Sequence, residues 1–243
     1  MTADKPKSFR RQIVGENMLY FVSDVHGEYD LFQALLRKIN FCASDQMVIV
    51  GDIVDKGPES IRLAQFVFSQ PNISCLMGNH EYAFLRYYWA MMEKVSTNFD
   101  GALKKLQEYF QGDGHLLDWD TVDAFERLPW YIEGSDYICV HAGIPLDEEG
   151  RLMPFGEVER ERLVYDRDFK EPNVLPSGSK CVLFGHTPAC YVSGENRILR
   201  YPKTERPSKI SDYYKIHLDM GTMSSGVLGC ICKETLEEFY VTK

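Results

Sequence analysis

Short apolar runs recur along the chain, and they close in the same way. LYFVSD ends at Asp24, QMVIVGD at Asp52, ISCLMGN at Asn79, YICVH at His141 and CVLFGH at His186. Each is rich in Val, Ile, Tyr, Phe or Leu and is closed by Asp, Asn or His beside small residues. KIHLD, ending at Asp219 before Met-Gly, is a sixth and weaker copy. Runs of this length and composition predict buried strands. Helical spacing follows the first three: Phe32, Leu35, Leu36 and Ile39 after Gly27; Ile61, Ala64, Val67 and Phe68 after Pro58; Phe84, Leu85, Tyr88, Trp89 and Met92 after Glu81. Strands alternating with helices predict crossover units with parallel pairing, hence an α/β fold.

The second half is patterned for antiparallel pairing. WYIEGSDYICV predicts a hairpin around Gly134-Ser135, and VLGCICKETLEEFYV another around Lys233-Glu234. Between the halves, residues 94–128 carry Leu103, Leu106, Phe110, Leu117, Val122 and Phe125 at helical spacing and are expected to form an inserted helical cap. Residues 193–213 hold Arg197, Arg200, Lys203, Arg206 and Lys209 and are expected to be a long exposed loop. No repeat, low-complexity tract or dividing linker interrupts residues 1–243, so a single domain is expected.

Composition narrows the functional classes. The 243 residues are 44% apolar, enough for one substantial core. A formal charge of -9 argues against a broad electrostatic grip on nucleic acid. Seven cysteines occur without a C-x-x-C pair, and Cys75, Cys139, Cys181, Cys230 and Cys232 lie in apolar runs, which fits a reducing compartment. The N-terminal MTADKPKSFRRQIVGEN lacks an apolar export segment, so a soluble cytoplasmic protein without membrane attachment is expected.

The strand-end residues suggest shared chemistry, because ligands of α/β sheets bind beyond the carboxyl ends of the strands. Asp24, His26, Asp52, Asn79, His141 and His186 offer oxygen and imidazole donors without thiolates, a set suited to Mn, Fe or Zn. Six donors exceed what one catalytic ion with an open position needs, and they match two ions sharing a carboxylate. Two metals about 3.5–4 Å apart clamp an in-line displacement at phosphorus. Asp24 and His26, two residues apart, are expected to point to one side of an ending strand and share an ion. Asn79 and His80 are adjacent and should diverge, leaving His80 to face substrate as a general acid, with Asp55 available to orient it. The bland alternative for GDIVDKGPES is that Asp55 caps a helix opened by Pro58. There is no P-loop, no G-x-G-x-x-G after a strand, no cysteine with an arginine six positions on, and no G-x-S-x-G.

These residues resemble a known family. SDVHG (23–27), GDIVDKG (51–57), GNHE (78–81), HAG (141–143) and GHTP (185–188) are similar, in order, to the five signature blocks of the calcineurin-like metallophosphoesterases. More narrowly they resemble the phosphoprotein phosphatases acting on serine and threonine, in the compact bacterial and bacteriophage branch. The resemblance implies two packed mixed β-sheets flanked by helices. It implies that Asp24 and His26 hold one metal, Asp52 bridges both, and Asn79, His141 and His186 hold the second. It further implies attack by a metal-bound hydroxide, protonation of the leaving oxygen by His80 paired with Asp55, and phosphate contacts from Lys56 and Arg167. Lys56 stands where the family normally has arginine, and Arg160 and Arg162 compete with Arg167 for its assignment. Asp219 is expected to support the site by hydrogen bonding without binding metal, and His115 and His217 to be structural or exposed.

The function expected on these grounds is that of a metal-dependent phosphomonoesterase, foremost a serine/threonine protein phosphatase acting on a phosphorylated protein or peptide. The alternative is hydrolysis of dinucleoside polyphosphates such as diadenosine tetraphosphate on the same core. A non-catalytic binding module is the remaining class, disfavoured because all six donors, His80 and Asp55 are present. Two divalent ions are the expected cofactors, Mn2+ first and Fe or Zn as alternatives.

Overall fold

A computed structural model describes residues 17–95, 98–111 and 113–243. The expectation about an N-terminal export segment lies mostly outside these residues. The strands are β1 (Leu19–Val22), β2 (Gln46–Ile49), β3 (Ile73–Cys75), β4 (Tyr131–Glu133), β5 (Tyr137–Val140), β6 (Cys181–Phe184), β7 (Leu199–Pro202), β8 (Tyr213–His217), β9 (Val227–Cys232) and β10 (Glu238–Thr242). They form two five-stranded sheets, ordered β10-β9-β1-β2-β3 and β4-β5-β6-β8-β7. Pairing is parallel within β1-β2-β3 and within β5-β6-β8, and antiparallel elsewhere. Both sheets are therefore mixed, and both predicted hairpins form.

Alternation along the strands builds three apolar layers. Phe21, Val48, Leu183 and Ile231 point into the layer between the sheets. Their neighbours Tyr20, Val22, Met47 and Ile49 face outward, under α1 (Tyr29–Lys38), α2 (Ser60–Ser69) and α3 (Asn79–Met92). Val182 and Phe184 face outward from the second sheet, against Phe169 and Leu163. A strand buried on both faces is apolar at every position, which is why these runs read as continuous rather than alternating. Helices outside two stacked sheets give the expected sandwich.

Two expectations are corrected. Residues 94–128 contain α4 (Phe99–Tyr109) and α5 (Trp119–Glu126), and Leu106, Phe110, Leu117, Val122 and Phe125 belong to the core over the first sheet. This insertion is part of the helical layer, because its apolar faces find α2 and α3 to bury against. Residues 193–213 are not one exposed loop: β7 pairs with β8, and Ile198 and Ile210 are buried between the sheets. The stretch reads as polar because β7 is an edge strand with one solvated face, which Arg200 and Pro202 occupy.

Among the described residues, no helix is long and apolar enough to cross a membrane. Cys75, Cys139, Cys181 and Cys230 are buried thiols whose ionisation burial disfavours.

Candidate active site

The carboxyl ends of β1, β2, β3, β5 and β6 meet at one edge of the sandwich, and their loops carry every predicted donor. The loops interlock through the backbone. Asp24 N donates to Gly51 O, His26 N to Asp52 O and Gly27 N to Ile53 O, at 3.2, 2.9 and 2.7 Å. This pairing pulls the chain out of the strand conformation. Asp24, His26, Asp52, Asp55, Lys56 and His186 all have φ between 49° and 70°, and they are six of the eight non-glycine residues with positive φ in the described chain. Left-handed backbone disfavours side chains, so its concentration here marks a site held by its surroundings. It also corrects the expectation for Asp24 and His26, whose convergence comes from left-handed turns rather than strand alternation.

Asp52 lies at the centre. Its Oδ2 is 3.4 Å from His141 Nε2, 3.7 Å from His26 Nε2 and 3.8 Å from His80 Nε2. His26 Nδ1 faces Val54 O at 3.1 Å and His141 Nδ1 faces Val50 O at 2.8 Å. Such carbonyl contacts take the Nδ1 proton and leave Nε2 to the site. Asn79 Oδ1 sits 2.9 Å from His141 Nε2 and 2.7 Å from His186 Nδ1. Asp24 Oδ2 accepts from Ser23 Oγ at 2.5 Å and from His186 N at 3.1 Å.

Charges are tightly interdependent. Burial raises the Asp24 carboxyl above its ordinary value, and Asp52 adds to this. Burial acts on Asp52 in the same direction, but His141 and the other imidazoles outweigh it and hold that carboxyl below its ordinary range. Burial disfavours a charged His141, yet Asp52 overcomes it and pushes the imidazole up to about 10. Burial, with His141 adding repulsion, pulls His186 down to about 3.

The donor set fits divalent cations. Asp24 Oδ1 and His186 Nε2 are buried with no hydrogen-bond partner among the described residues, whereas buried polar atoms are normally paired. Among the described residues, two groups have ligand atoms mutually within 4.8 Å, Asp24–Asp52–His141 and His26–Asp52–His80, and Asp52 is common to both. The grouping differs from the resemblance, which places Asp24 with His26 and keeps His80 apart.

His80 Nδ1 lies 2.8 Å from Asp55 Oδ2. Burial opposes charging of His80, but the Asp55 contact and then Asp52 raise it above its ordinary value, while the same contact lowers Asp55. Asp55 caps no helix: its N–H donates to Ser60 Oγ, and α2 begins at Ser60 rather than at Pro58. Lys56 is exposed, with Nζ 2.9 Å from His26 Nε2. Of the three candidate arginines, Arg160 lies over Trp130 and Arg162 pairs with Asp166 at 3.7 Å, whereas exposed Arg167 lies near enough to His186 to disfavour its charging. Asp219, buried, accepts from Gly221 N at 2.7 Å. His115 is partly exposed beside Asp113, and His217 is fully buried.

Glu81 was not among the predicted site residues. Fully buried at the start of α3, its carboxylate accepts from Asp52, Ile53, Val54 and Gly78 N–H groups at 2.8–3.1 Å. Burial, with Asp52 adding, raises it to about 7. The signal in the sequence was its spacing, three residues after Gly78, which is the capping-box position.

Comparison with known proteins agrees with this architecture. The calcineurin-like phosphoesterase family profile matches residues 18–210. The asymmetrical bis(5'-nucleosyl)-tetraphosphatase of Bacillus velezensis is 25% identical over 189 residues, covering 69% of this chain and 76% of that protein. The symmetrical bis(5'-nucleosyl)-tetraphosphatase of Pseudomonas putida is 32% identical over 128 residues, covering 52% of this chain and 42% of that protein. A solved structure of a candidate diadenosine tetraphosphatase superposes with a TM-score of 0.67 over 93% of both chains, at 17% identity, a likeness of fold alone.

Proposed function

The chain belongs to the calcineurin-like phosphoesterases, and from that premise we propose that it is a metal-dependent hydrolase of dinucleoside polyphosphates. The observation that carries the hydrolytic part is the convergence on Asp52 of donors from five strand ends, with the His80–Asp55 pair beside them. The named relatives favour dinucleotide over phosphoprotein as substrate. A groove of ≈ 260 Å³ beside Asp55 and Lys56, walled by Tyr109 and Phe110, also favours it. That volume lies just below the usual range for small-molecule sites, about 300–1,000 Å³, and an aromatic wall suits one nucleoside end.

In this proposal Asp24 and His26, whose Oδ1 and Nε2 lie 3.9 Å apart, would hold one divalent ion with Asp52, and Asn79, His141 and His186 would hold the other with Asp52. Such ions supply Lewis acidity to phosphoryl oxygens and lower the pKa of water to near neutral. The protein's own residues do the rest. Glu81 fixes the backbone of 52–54 and so aims Asp52. Lys56 and Arg167 bind phosphate oxygens, the first as a point charge and the second as a planar fork. Asp55 favours the protonated form of His80 and orients its Nε2 toward the site, from which the imidazolium gives its proton to the departing oxygen.

The test is to compare kcat/KM for diadenosine tetraphosphate with that for a phosphoserine peptide, using protein loaded with Mn2+. Preference for the dinucleotide by at least about tenfold is expected. Preference for the peptide would replace this proposal with that of a protein phosphatase.

A further inference from the structure

β8 and the residues beyond it alternate in an unusual way. Ile216, Leu218 and Met220 fill the layer between the sheets, whereas Lys215, His217 and Asp219 are buried and polar. Lys215 and His217 bond segments distant in the chain, and Asp219 bonds the turn that follows it. Asp219 accepts from Gly221 N, His217 Nε2 lies 2.5 Å from Thr187 O beside His186, and Lys215 Nζ donates to Phe169 O at 2.5 Å and Glu171 O at 2.7 Å. Lys215 has no exposed surface, and its ammonium lies 4.7–5.7 Å from the ring centroids of Tyr201, Phe169 and Phe184. Burying an ammonium costs stability that an aliphatic side chain in the same place would avoid.

The loop it holds carries Arg167. Asp166 Oδ1 accepts from Asp168 N and Phe169 N, which folds 166–169 into a turn and leaves Arg167 at its tip. The Phe169 ring anchors that turn against Phe184, with ring centroids 5.1 Å apart. Gly143, two residues from His141, also packs on Phe169, so closely that an added Cβ would stand 2.3 Å from Phe169 Cβ. Phe169 thus packs against the end of β6, just before His186, and against the loop after His141, while Lys215 holds its carbonyl.

We propose that Lys215 is a positioning residue for Arg167: by holding Phe169 O and Glu171 O it fixes the turn from which the guanidinium meets the substrate phosphate. The proposal rests on Arg167 being a phosphate contact. It predicts that Lys215 acts on phosphate binding only through Arg167 and leaves the metal donors alone.

A double-mutant cycle tests it, with inhibition by inorganic phosphate and Mn2+ affinity as readouts in the intact protein. Arg167→Ala should raise the phosphate inhibition constant about tenfold, and Lys215→Met should raise it several-fold, while in the Arg167→Ala background Lys215→Met should add less than about twofold. Mn2+ affinity should stay within about twofold in Lys215→Met, whose side chain has similar volume. Additive losses, an unchanged inhibition constant in Lys215→Met, or Mn2+ affinity falling in step would overturn the proposal. An unchanged constant in Arg167→Ala would remove Arg167 from phosphate binding and the proposal with it, whether or not the dinucleotide is the substrate. Where Lys215→Met does not fold, Lys215→Gln, a shorter donor, runs the same cycle with the same criteria.

Discussion

Gly185→Ala should disable the site while sparing the fold. Gly185 precedes His186 and lies against the β1 loop; a Cβ built on it stands 2.1 Å from Asp24 Oδ2 and 2.1 Å from Ser23 Oγ. Ordinary van der Waals contact begins near 3.4 Å, so both atoms must retreat by about 1.3 Å. They are side-chain termini that can swing, so the protein should fold. Metal ligands tolerate distance errors of only about 0.2 Å, however. A misplacement of about 1 Å in a catalytic site costs on the order of a hundredfold in rate, equivalent to about 2.7 kcal/mol. The assay is Mn2+ affinity by calorimetry together with kcat/KM on p-nitrophenyl phosphate. Gly156→Ala, where the added Cβ meets nothing within 4 Å, serves as the control and should change neither. If folded Gly185→Ala keeps metal affinity and kcat/KM within about twofold of wild type, Asp24 is not a ligand held by this packing.

Other perturbations separate the parts. Glu81→Gln keeps one oxygen but turns the other into a donor facing two N–H groups; a stability loss of about 2 kcal/mol and a lower kcat are expected, and unchanged calorimetric Tm and kcat would deny its hold on the 52–54 backbone. In the metal-free protein His141 titrates near 10, above its unfolded value of 6.5, so it adds stability that is complete below about pH 6.5 and lost as pH rises through 10. Mn2+ uptake at pH 8 should therefore release close to one proton, measurable by calorimetry in buffers of different ionisation enthalpy, and zero release would contradict the raised value. His80→Asn should slow diadenosine tetraphosphate more than p-nitrophenyl phosphate, whose phenolate leaves readily; equal losses would take His80 out of proton donation.

Most of this architecture was legible because its signals are local. The parallel strands, their three helices and both hairpins follow from runs and spacings that any buried strand or amphipathic helix must show. The donors were legible because strand ends in such sheets share one edge, as Asp24, Asp52, Asn79, His141 and His186 do. What stayed hidden depends on contacts distant in sequence. Glu81 reads as a helix-start carboxylate, and only the fold brings Asp52, Ile53 and Val54 N–H groups to it. Lys215 and His217 read as the polar face of a strand, whereas both are buried, Lys215 against the Phe169 and Glu171 carbonyls and His217 against that of Thr187. Edge strand β7 hid in a charged stretch because one of its faces is solvated. Positive φ at Asp24, His26 and Asp52 falls on residue types that adopt it more readily than most, but loop-to-loop bonds distant in sequence decide where it occurs.

The place of Asp52 between two donor groups is most directly tested by counting metal. After loading with Mn2+ and removal of free ion, wild-type protein should hold two ions per chain, and Asp52→Asn, which keeps the shape but loses the charge, should hold fewer than one while remaining folded. Two tightly held ions in Asp52→Asn, or one in the wild type, would show that Asp52 does not join two metal sites.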